Sequence, residues 1–372
     1  MAAPRKKEKI GSLNGQNIRD ILNKRAGREV AFSLKNENPT EVTAWIPTGS
    51  RWLDSIICKG KYAGIPVGKI VEIAGLEASG KSYLAALIAA NAQKMGMKVI
   101  IFDSESSVDP EFVSKLGIDL DSDTFTYVQA ESVEFVFETI ETLLSAEQNV
   151  LYIWDSFANT PCKADMEDAN FDPSSSMARK ARIASLGMQK LTLQVANANS
   201  TLLVLNQLRT NIGDPMQMKL DPWFTPGGKA LPYAYSLRIW LTGRKAKDSY
   251  LVDENGYRVG SEVKAKIKKS RFGSEGRECF FKIRWGSDPV GISNEEIFDA
   301  IKPFLKQTGA WYEIELNEYK KKFQFASWND LYTNDVEFQN AACKIMDTQV
   351  IDGFLNKTMN ADIFYDVEKE HA

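Results

Sequence analysis

The segment Gly75-Leu76-Glu77-Ala78-Ser79-Gly80-Lys81-Ser82 decides the reading of this chain. It fits G-x-x-x-x-G-K-[ST] at every fixed position. Glycines at both ends let successive backbone N–H groups curl around a polyphosphate. Lys81 would reach the β/γ oxygens and the Ser82 hydroxyl would ligate Mg²⁺, while the positive end of a following helix faces the phosphates. The flanks agree. Lys69-Ile70-Val71-Glu72-Ile73-Ala74 reads as a strand, and Tyr83 to Met95 as a helix rich in Ala and Leu. A Gly-rich turn arising by accident would not carry that context.

Working outward, strand-like and helix-like segments alternate. Val99 to Phe102, Val150 to Trp154, Leu202 to Leu205 and Leu237 to Leu241 are short apolar runs. Ser132 to Glu147 carries Val133, Val136, Phe137, Ile140, Leu143 and Leu144 at helical spacing, and Met177 to Asn199 fits a long helix. Continuous apolar strands separated by helices imply a parallel sheet covered on both faces. The expected class is therefore α/β, a P-loop NTPase core with a central, mostly parallel sheet. Residues 1–45 are polar, with one amphipathic helix around Ile18, Ile21 and Leu22. After about residue 285 the alternation weakens. The expected division is a small N-terminal element (1–45), the core (46–285) and a small mixed C-terminal α/β domain (286–372).

Composition removes several chemistries. Among 372 residues the only histidine is His371, and Cys58, Cys162, Cys279 and Cys343 lie far apart. That argues against a Cys/His zinc site, a Ser-His-Asp triad and a disulfide scaffold. No run approaches the length needed to span a bilayer, and the basic N-terminus lacks the apolar stretch of a secretory signal, so a cytoplasmic address is expected. Net charge is −3, but it is unevenly spread. Residues 1–30 and 261–284 each hold eight Lys/Arg against three Asp/Glu, net +5, and residues 330–372 hold three against nine, net −6. This is compatible with a polyanionic partner and equally with solvated faces.

A P-loop hydrolase needs a second carboxylate for the metal and a group that activates water. Asp155 closes the apolar strand ending in Trp154, and at a parallel strand's C-terminal end it would stand beside Ser82. Glu105, in Asp103-Ser104-Glu105 just past the neighbouring strand, could orient and deprotonate the attacking water, or be a solvated loop acid. Asn206-Gln207 closes the next strand, where an amide could sense a γ-phosphate or simply end the strand.

Taken together, these motifs resemble the bacterial RecA recombinase family. The resemblance rests on Ile46-Pro47-Thr48-Gly49-Ser50 with Leu53-Asp54, and on Ile65-Pro66-Val67-Gly68-Lys69 leading into the loop. It rests also on Phe102-Asp103-Ser104-Glu105 with Asp109-Pro110, on Trp154-Asp155-Ser156, on Leu205-Asn206-Gln207-Leu208-Arg209 with Ile212-Gly213, and on Gly309-Ala310-Trp311-Tyr312. It spans about residues 45–330. The resemblance implies a RecA-like core and a DNA-dependent ATPase. Such a protein forms helical filaments on single-stranded DNA and pairs it with homologous duplex DNA, with ATP and Mg²⁺ as cofactors. Single-strand-binding and loading proteins are further implied partners.

Carried over by position, Gly75, Glu77, Ala78, Ser79, Gly80, Lys81, Ser82 and Tyr83 hold the triphosphate. Ser82 and Asp155 serve the metal, Glu105 is the base and Gln207 the γ-phosphate switch. Asp109 and Phe112 match adenine contacts, Phe112 standing where the family usually has Tyr. Roughly residues 163–176 and 211–229 match the two DNA-binding loops; Met177, Arg182 and Ser185 at the start of the long helix, and Ile212, Gly227, Gly228 and Lys229 of the second loop, match DNA contacts. Lys269 and Arg271 fit the pair of cations that caps a neighbour's ATP, with Lys268 as the alternative. Some positions depart. Asp214 and Asp221 put acids in the second loop, Pro232 replaces an interface Lys, and residues 58–63 look inserted. Residues 1–45 match poorly and are assigned to polymerisation. Two other readings stand beside this one: a ring-forming helicase motor, disfavoured by the Lys269/Arg271 pair, and a non-catalytic ATP-binding mediator, disfavoured by intact Lys81, Glu105 and Asp155.

Overall fold

Residues 14–35, 41–58, 63–167, 173–211, 222–228, 231–243, 249–286 and 290–351 are described by the computed structural model of the protein. The chain falls into two compact units, Met1–Thr43 and Ala44–Ala372.

In the first unit, α1 (Gly15–Ala26) starts where the Asn14 carboxamide accepts a hydrogen bond from the Asn17 N–H (2.9 Å) and ends at Gly27 with φ +66°. The Asn23 side chain accepts from the N–H groups of Val30 and Ala31, both at 2.8 Å, and folds the chain back after the helix. Ile18, Ile21 and Leu22 form the predicted stripe at i, i+3 and i+4, and all three are exposed.

The second unit opens with a ribbon of β1 (Trp45–Ile46) and β2 (Ile65–Pro66) around α2 (Arg51–Ile57). The alternation then runs β3 (Ile70–Gly75), α3 (Lys81–Lys94), β4 (Lys98–Asp103), α4 (Pro110–Lys115), β5 (Phe125–Gln129), α5 (Val133–Ala146), β6 (Val150–Asp155), α6 (Lys163–Glu167), α7 (Pro173–Asn197) and β7 (Thr201–Gln207). A short ribbon, β8 (Arg209–Thr210) with β9 (Trp223–Phe224), precedes β10 (Leu237–Gly243), β11 (Tyr250–Val252), β12 (Arg258–Ser270), β13 (Glu278–Arg284) and β14 (Gly291–Ile292). The sheet order is β14-β13-β12-β10-β3-β7-β6-β4-β5, with β11 on the free part of β12. Strands β10 through β5 along this path are mutually parallel, and β11 to β14 extend the sheet antiparallel.

The apolar strands bury both faces because their residues alternate between two cores. Leu151 and Ile153 of β6 join Leu84 and Ile88 of α3, while Tyr152 and Trp154 join Val136 and Ile140 of α5 and Met188 and Leu191 of α7. Ser132 caps α5 by accepting from the Phe135 N–H (3.1 Å), which starts the helix where its buried stripe starts. The antiparallel extension was not legible as strands, because β12 reads as a lysine-rich run. Its Val263, Ala265 and Ile267 face the core while Lys264, Lys266 and Lys268 alternate outward.

Beyond β14, α8 (Glu295–Ile301), the meander β15 (Lys306–Thr308), β16 (Trp311–Leu316) and β17 (Tyr319–Gln324), and helices α9 (Trp328–Asn334) and α10 (Val336–Ile345) enclose an aromatic core of their own. Phe298 meets Trp328 with ring centroids 5.2 Å apart, and Phe323 meets Phe338 at 5.0 Å. A buried carboxylate ties this part to the rest. Glu296 accepts from the Ser50 hydroxyl and from the Arg51 N–H (2.7 Å), at the N-terminus of α2, where backbone donors lack helical partners.

Burial pushes the Glu296 carboxyl up to about 8, against the hydrogen bonds from Ser50 and Arg51. A raised folded-state value means that the folded form holds the proton more tightly. Its stabilising contribution is full below the ordinary value of 4.5 and is lost as pH rises toward about 8. Thermal melting between pH 5 and 9 is expected to show wild-type stability falling across that window and Glu296→Gln flattening the fall. Parallel pH curves for the two proteins would refute this assignment.

Candidate nucleotide and DNA site

The carboxyl ends of β3, β7, β6 and β4 lie at one edge of the sheet, where open α/β sheets bind ligands. Register sets the depth of each group. Gly75 lies level with Gln207, and Asp103 level with Asp155. The loop after β3 turns through Ala78 (φ +54°) and Gly80 (φ +85°) into α3. Gly75 is required by crowding: a Cβ there would stand 2.2 Å from Ser79 Oγ and 2.9 Å from the Leu241 carbonyl oxygen.

The Lys81 ammonium lies over this loop and donates to the carbonyls of Gly75 (3.2 Å) and Leu76 (2.9 Å). Burial lowers its pKa, and the nearby carboxylates of Asp155, Glu105 and Glu77 oppose that shift. Ser79 Oγ is buried and has no hydrogen-bond partner among the described residues. Buried polar groups seldom stay unsatisfied, and a phosphate oxygen would satisfy this one. The residues therefore fit a polyphosphate. Glu77 and Ala78 are exposed on the loop, whereas the Tyr83 side chain points into the core and its hydroxyl donates to the Arg284 carbonyl (2.6 Å). Tyr83 can offer a ligand only its backbone.

Ser82 Oγ donates to Asp155 Oδ2 at 2.7 Å, so the two residues expected at the metal are in contact. Burial pushes the Asp155 carboxyl up to about 6. The Ser82 hydrogen bond pulls the other way, and the charges of Glu105 and Asp103 add to the rise. A divalent cation would relieve this accumulation of negative charge. Among the described residues no cluster of three His, Cys, Asp or Glu could hold a metal alone. The donor set suits Mg²⁺, which binds through one or two protein oxygens and the phosphates while keeping waters.

Glu105 is held rather than free. Its Oε1 accepts from the Ser156 hydroxyl (3.0 Å) and from the Asn159 amide (2.5 Å). The turn that carries it wraps around Asp103, whose carboxylate accepts from the N–H groups of Glu105 (2.8 Å) and Ser107 (2.9 Å) and from the Tyr127 hydroxyl (3.1 Å). Sequence reasoning passed over Asp103 as a site residue, although it ends an apolar strand just as Asp155 does. Asn159 carried no signal, since only folding brings it to Glu105.

Asp109 caps α4, accepting from the N–H groups of Glu111 (3.0 Å) and Phe112 (3.4 Å). The Phe112 ring packs against Tyr83 with centroids 5.5 Å apart. Both expected adenine contacts thus lie on a helix packed against the end of α3.

On the opposite face, Gly227 (φ +111°) and Gly228 (φ +80°) lie beside α7. A Cβ on Gly227 would meet Leu231 Cδ1 at 2.1 Å, and one on Gly228 would meet the Ala181 Cβ at 2.9 Å. Only glycine fits, and this brings the turn next to the helix that bears Met177, Arg182 and Ser185. Met177 and Arg182 are exposed and Ser185 is half-buried. Ile212 and Lys229, like Asp214 and Asp221, lie outside the described residues. Helix α6 is latched to α7 by Asp165, which pairs with Arg179 and accepts from the Ser176 hydroxyl (2.7 Å).

Lys269 and Arg271 are not near their own phosphate loop. Lys269 pairs with Arg238, and Arg238 with Glu72, three residues before Gly75. At the rise of a strand this is about 10 Å from the loop edge. Arg271 lies farther, where its N–H donates to the Ser236 carbonyl (2.9 Å). The two side chains donate to the carbonyls of Pro232 (2.6 Å, from Lys269) and Tyr233 (2.9 Å, from Arg271), beside the exposed Tyr233 ring.

Among the described residues no helix is long and apolar enough to cross a membrane. Residues 15–292 match the family model described as the RecA N-terminal domain. A Ruminococcus albus protein named Protein RecA is 34% identical over 304 residues, which cover 81% of this chain and 71% of that protein. Proteins of the same name from Mannheimia haemolytica and Pseudomonas fluorescens are each 32% identical, over 79% and 84% of this chain and 76% and 83% of their own lengths. With that extent of match and the phosphate loop, strand-end carboxylates and glycine turn in family order, the chain belongs to the RecA family.

Proposed function

We propose that the edge of the sheet at Gly75, Gln207, Asp155 and Glu105 binds and hydrolyses Mg²⁺-ATP, and that the α7 face with Gly227–Gly228 holds single-stranded DNA. As a RecA-family protein the chain is a recombinase of DNA recombination and repair and a DNA-dependent ATPase. The ring-helicase and mediator readings are not favoured by that membership. The observation that carries the residue assignment is the contact of Ser82 with Asp155 beside a loop whose buried Ser79 hydroxyl lacks a partner among the described residues.

In this reading Lys81 releases the loop carbonyls and turns to the β/γ-phosphates, while the backbone N–H groups of Ala78 to Ser82 take the remaining oxygens. Bound Mg²⁺ neutralises charge that develops on the phosphates. Ser82 and Asp155 would hold that cation. Glu105, held by Ser156 and Asn159, accepts the proton of the attacking water. Gln207, level with Gly75, reports whether a γ-phosphate is present.

Lys269 and Arg271 lie at the far end of the strands from their own loop, which supports action on a neighbouring protomer's nucleotide. Hydrolysis then depends on head-to-tail assembly, an open filament rather than a closed ring. The exposed Ile18–Leu22 stripe of α1 supports a polymerisation role for residues 1–45, and the separate aromatic core supports treating 286–372 as a domain. Pairing with homologous duplex DNA, and service by single-strand-binding and loading proteins, extend the same reading.

Three variants test it. Lys81→Ala is expected to lose ATP-dependent assembly on single-stranded DNA, read by electron microscopy, and Glu105→Ala to keep assembly while turnover drops about a hundredfold or more. Normal filaments from the first variant, or near-normal ATPase from the second, would remove those roles. The double variant Lys269→Ala/Arg271→Ala is expected to bind ATP as the wild type does when monomeric, yet to lose DNA-stimulated hydrolysis by about a thousandfold. Retained DNA-stimulated turnover would place the capping cations elsewhere.

A further inference from the structure

Between the phosphate loop and the glycine turn lies a buried polar cluster that the roles above leave unused. Glu72 on β3 is fully buried, and both of its oxygens are taken. Oε2 accepts from Arg238 Nε at 2.6 Å, and Oε1 accepts from Asn206 Nδ2 at 3.1 Å. Each donor reaches onward to the same short segment. Asn206 Nδ2 also donates to the Pro226 carbonyl (3.2 Å), and Arg238 Nη2 donates to the Thr225 hydroxyl (2.9 Å). Asn206 Oδ1 in turn accepts from the Gln207 N–H (3.0 Å). The Arg238 guanidinium lies 5.9 Å from the ring centroids of both Tyr235 and Trp240, which leaves little room for another arrangement.

A buried ion pair is a poor source of stability, because desolvating two charges costs about as much as their attraction returns. What it does supply is geometry. Here one carboxylate, three residues before the phosphate loop, fixes the residue beside Gln207 and the two residues before Gly227. The other end of the excursion is fixed separately, by the β8–β9 ribbon and by the Asn211 N–H donating to the Pro222 carbonyl (2.9 Å). The Thr225–Pro226 segment therefore takes its position from β3, β7 and β10 together.

We propose that Glu72, Asn206 and Arg238 are positioning residues that make DNA affinity respond to nucleotide. The proposal rests on the reading that Gln207 faces the γ-phosphate and that Gly227–Gly228 borders DNA. A shift of Gln207 against Gly75 moves Asn206, and Asn206 moves the Pro226 carbonyl directly. Arg238 holds Thr225 so that the turn follows as one piece rather than bending at Pro226. Coupling of this kind is reciprocal, so whatever factor nucleotide adds to DNA affinity, DNA adds to nucleotide affinity.

Glu72→Gln would strand the buried guanidinium and could unfold the chain, so the decisive variants are the two at Thr225, which leave the ion pair intact. Thr225→Val removes only the bond from Arg238, Thr225→Ser restores it, and Arg238→Lys breaks it from the other side. The readout is the ratio of dissociation constants for a fluorescent oligothymidylate without and with a slowly hydrolysed ATP analogue. Thermal melting of each variant runs in parallel. Loss of one charge-assisted hydrogen bond is expected to shrink that ratio about tenfold in Thr225→Val. Thr225→Ser should stay within about twofold of wild type, and Arg238→Lys/Thr225→Val should fall no further than the worse single variant. An unchanged ratio in Thr225→Val, a Thr225→Ser ratio as low as the valine variant's, or additive losses in the double variant would each overturn the proposal. If Arg238→Lys fails to fold, the Val and Ser pair decides alone. A wild-type protein whose DNA affinity ignores the analogue would instead overturn the functional reading beneath it.

Discussion

The hydrogen-bonded register of β3 with its parallel neighbours is the constraint from which the rest follows. It places Gly75 level with Gln207 and Glu72 level with Arg238. Through β7, β6 and β4 the same ladder brings Asp103 and Asp155 to one depth. A slip by one residue would turn every side chain to the other face, and it is resisted because both faces are filled. Two apolar cores thus hold fixed the groups at the carboxyl edge of the sheet.

Negative charge is concentrated at the sheet edge. Asp103, Glu105 and Asp155 crowd together, yet they differ in role because they differ in surroundings. Asp103 spends its oxygens on the N–H groups of the turn that carries Glu105, and Asp155 is desolvated and touched by the Ser82 hydroxyl. Glu105 is aimed by Ser156 and Asn159.

The two ends of β10 and β12 serve different ends of the molecule. Near Leu241 the strands flank the phosphate loop, and near Ser270 they present Lys269 and Arg271 beside Tyr233, far from it. Under the proposed function, that separation from their own phosphate loop is what would make assembly part of the chemistry. Level with Lys269, the Glu72–Arg238 pair occupies the depth at which strand register and the glycine turn meet.

The α/β alternation, the phosphate loop and Asp155 were readable from residue types and spacing, because each rests on a local rule: period, glycine tolerance, an acid closing an apolar run. The strands β11 to β14 were not, since alternating lysines hide a buried face that exists only once β10 lies beside it. Asn159 meets Glu105, and Glu72 meets Arg238 and Asn206, through separations of tens to more than a hundred residues that no local pattern records. Sequence alone therefore determined which chemical groups the chain owns and where its elements begin. Tertiary structure decided which groups share a carboxylate and which cations lie away from the phosphate loop, because strand register, and not position along the chain, sets distance in a folded sheet.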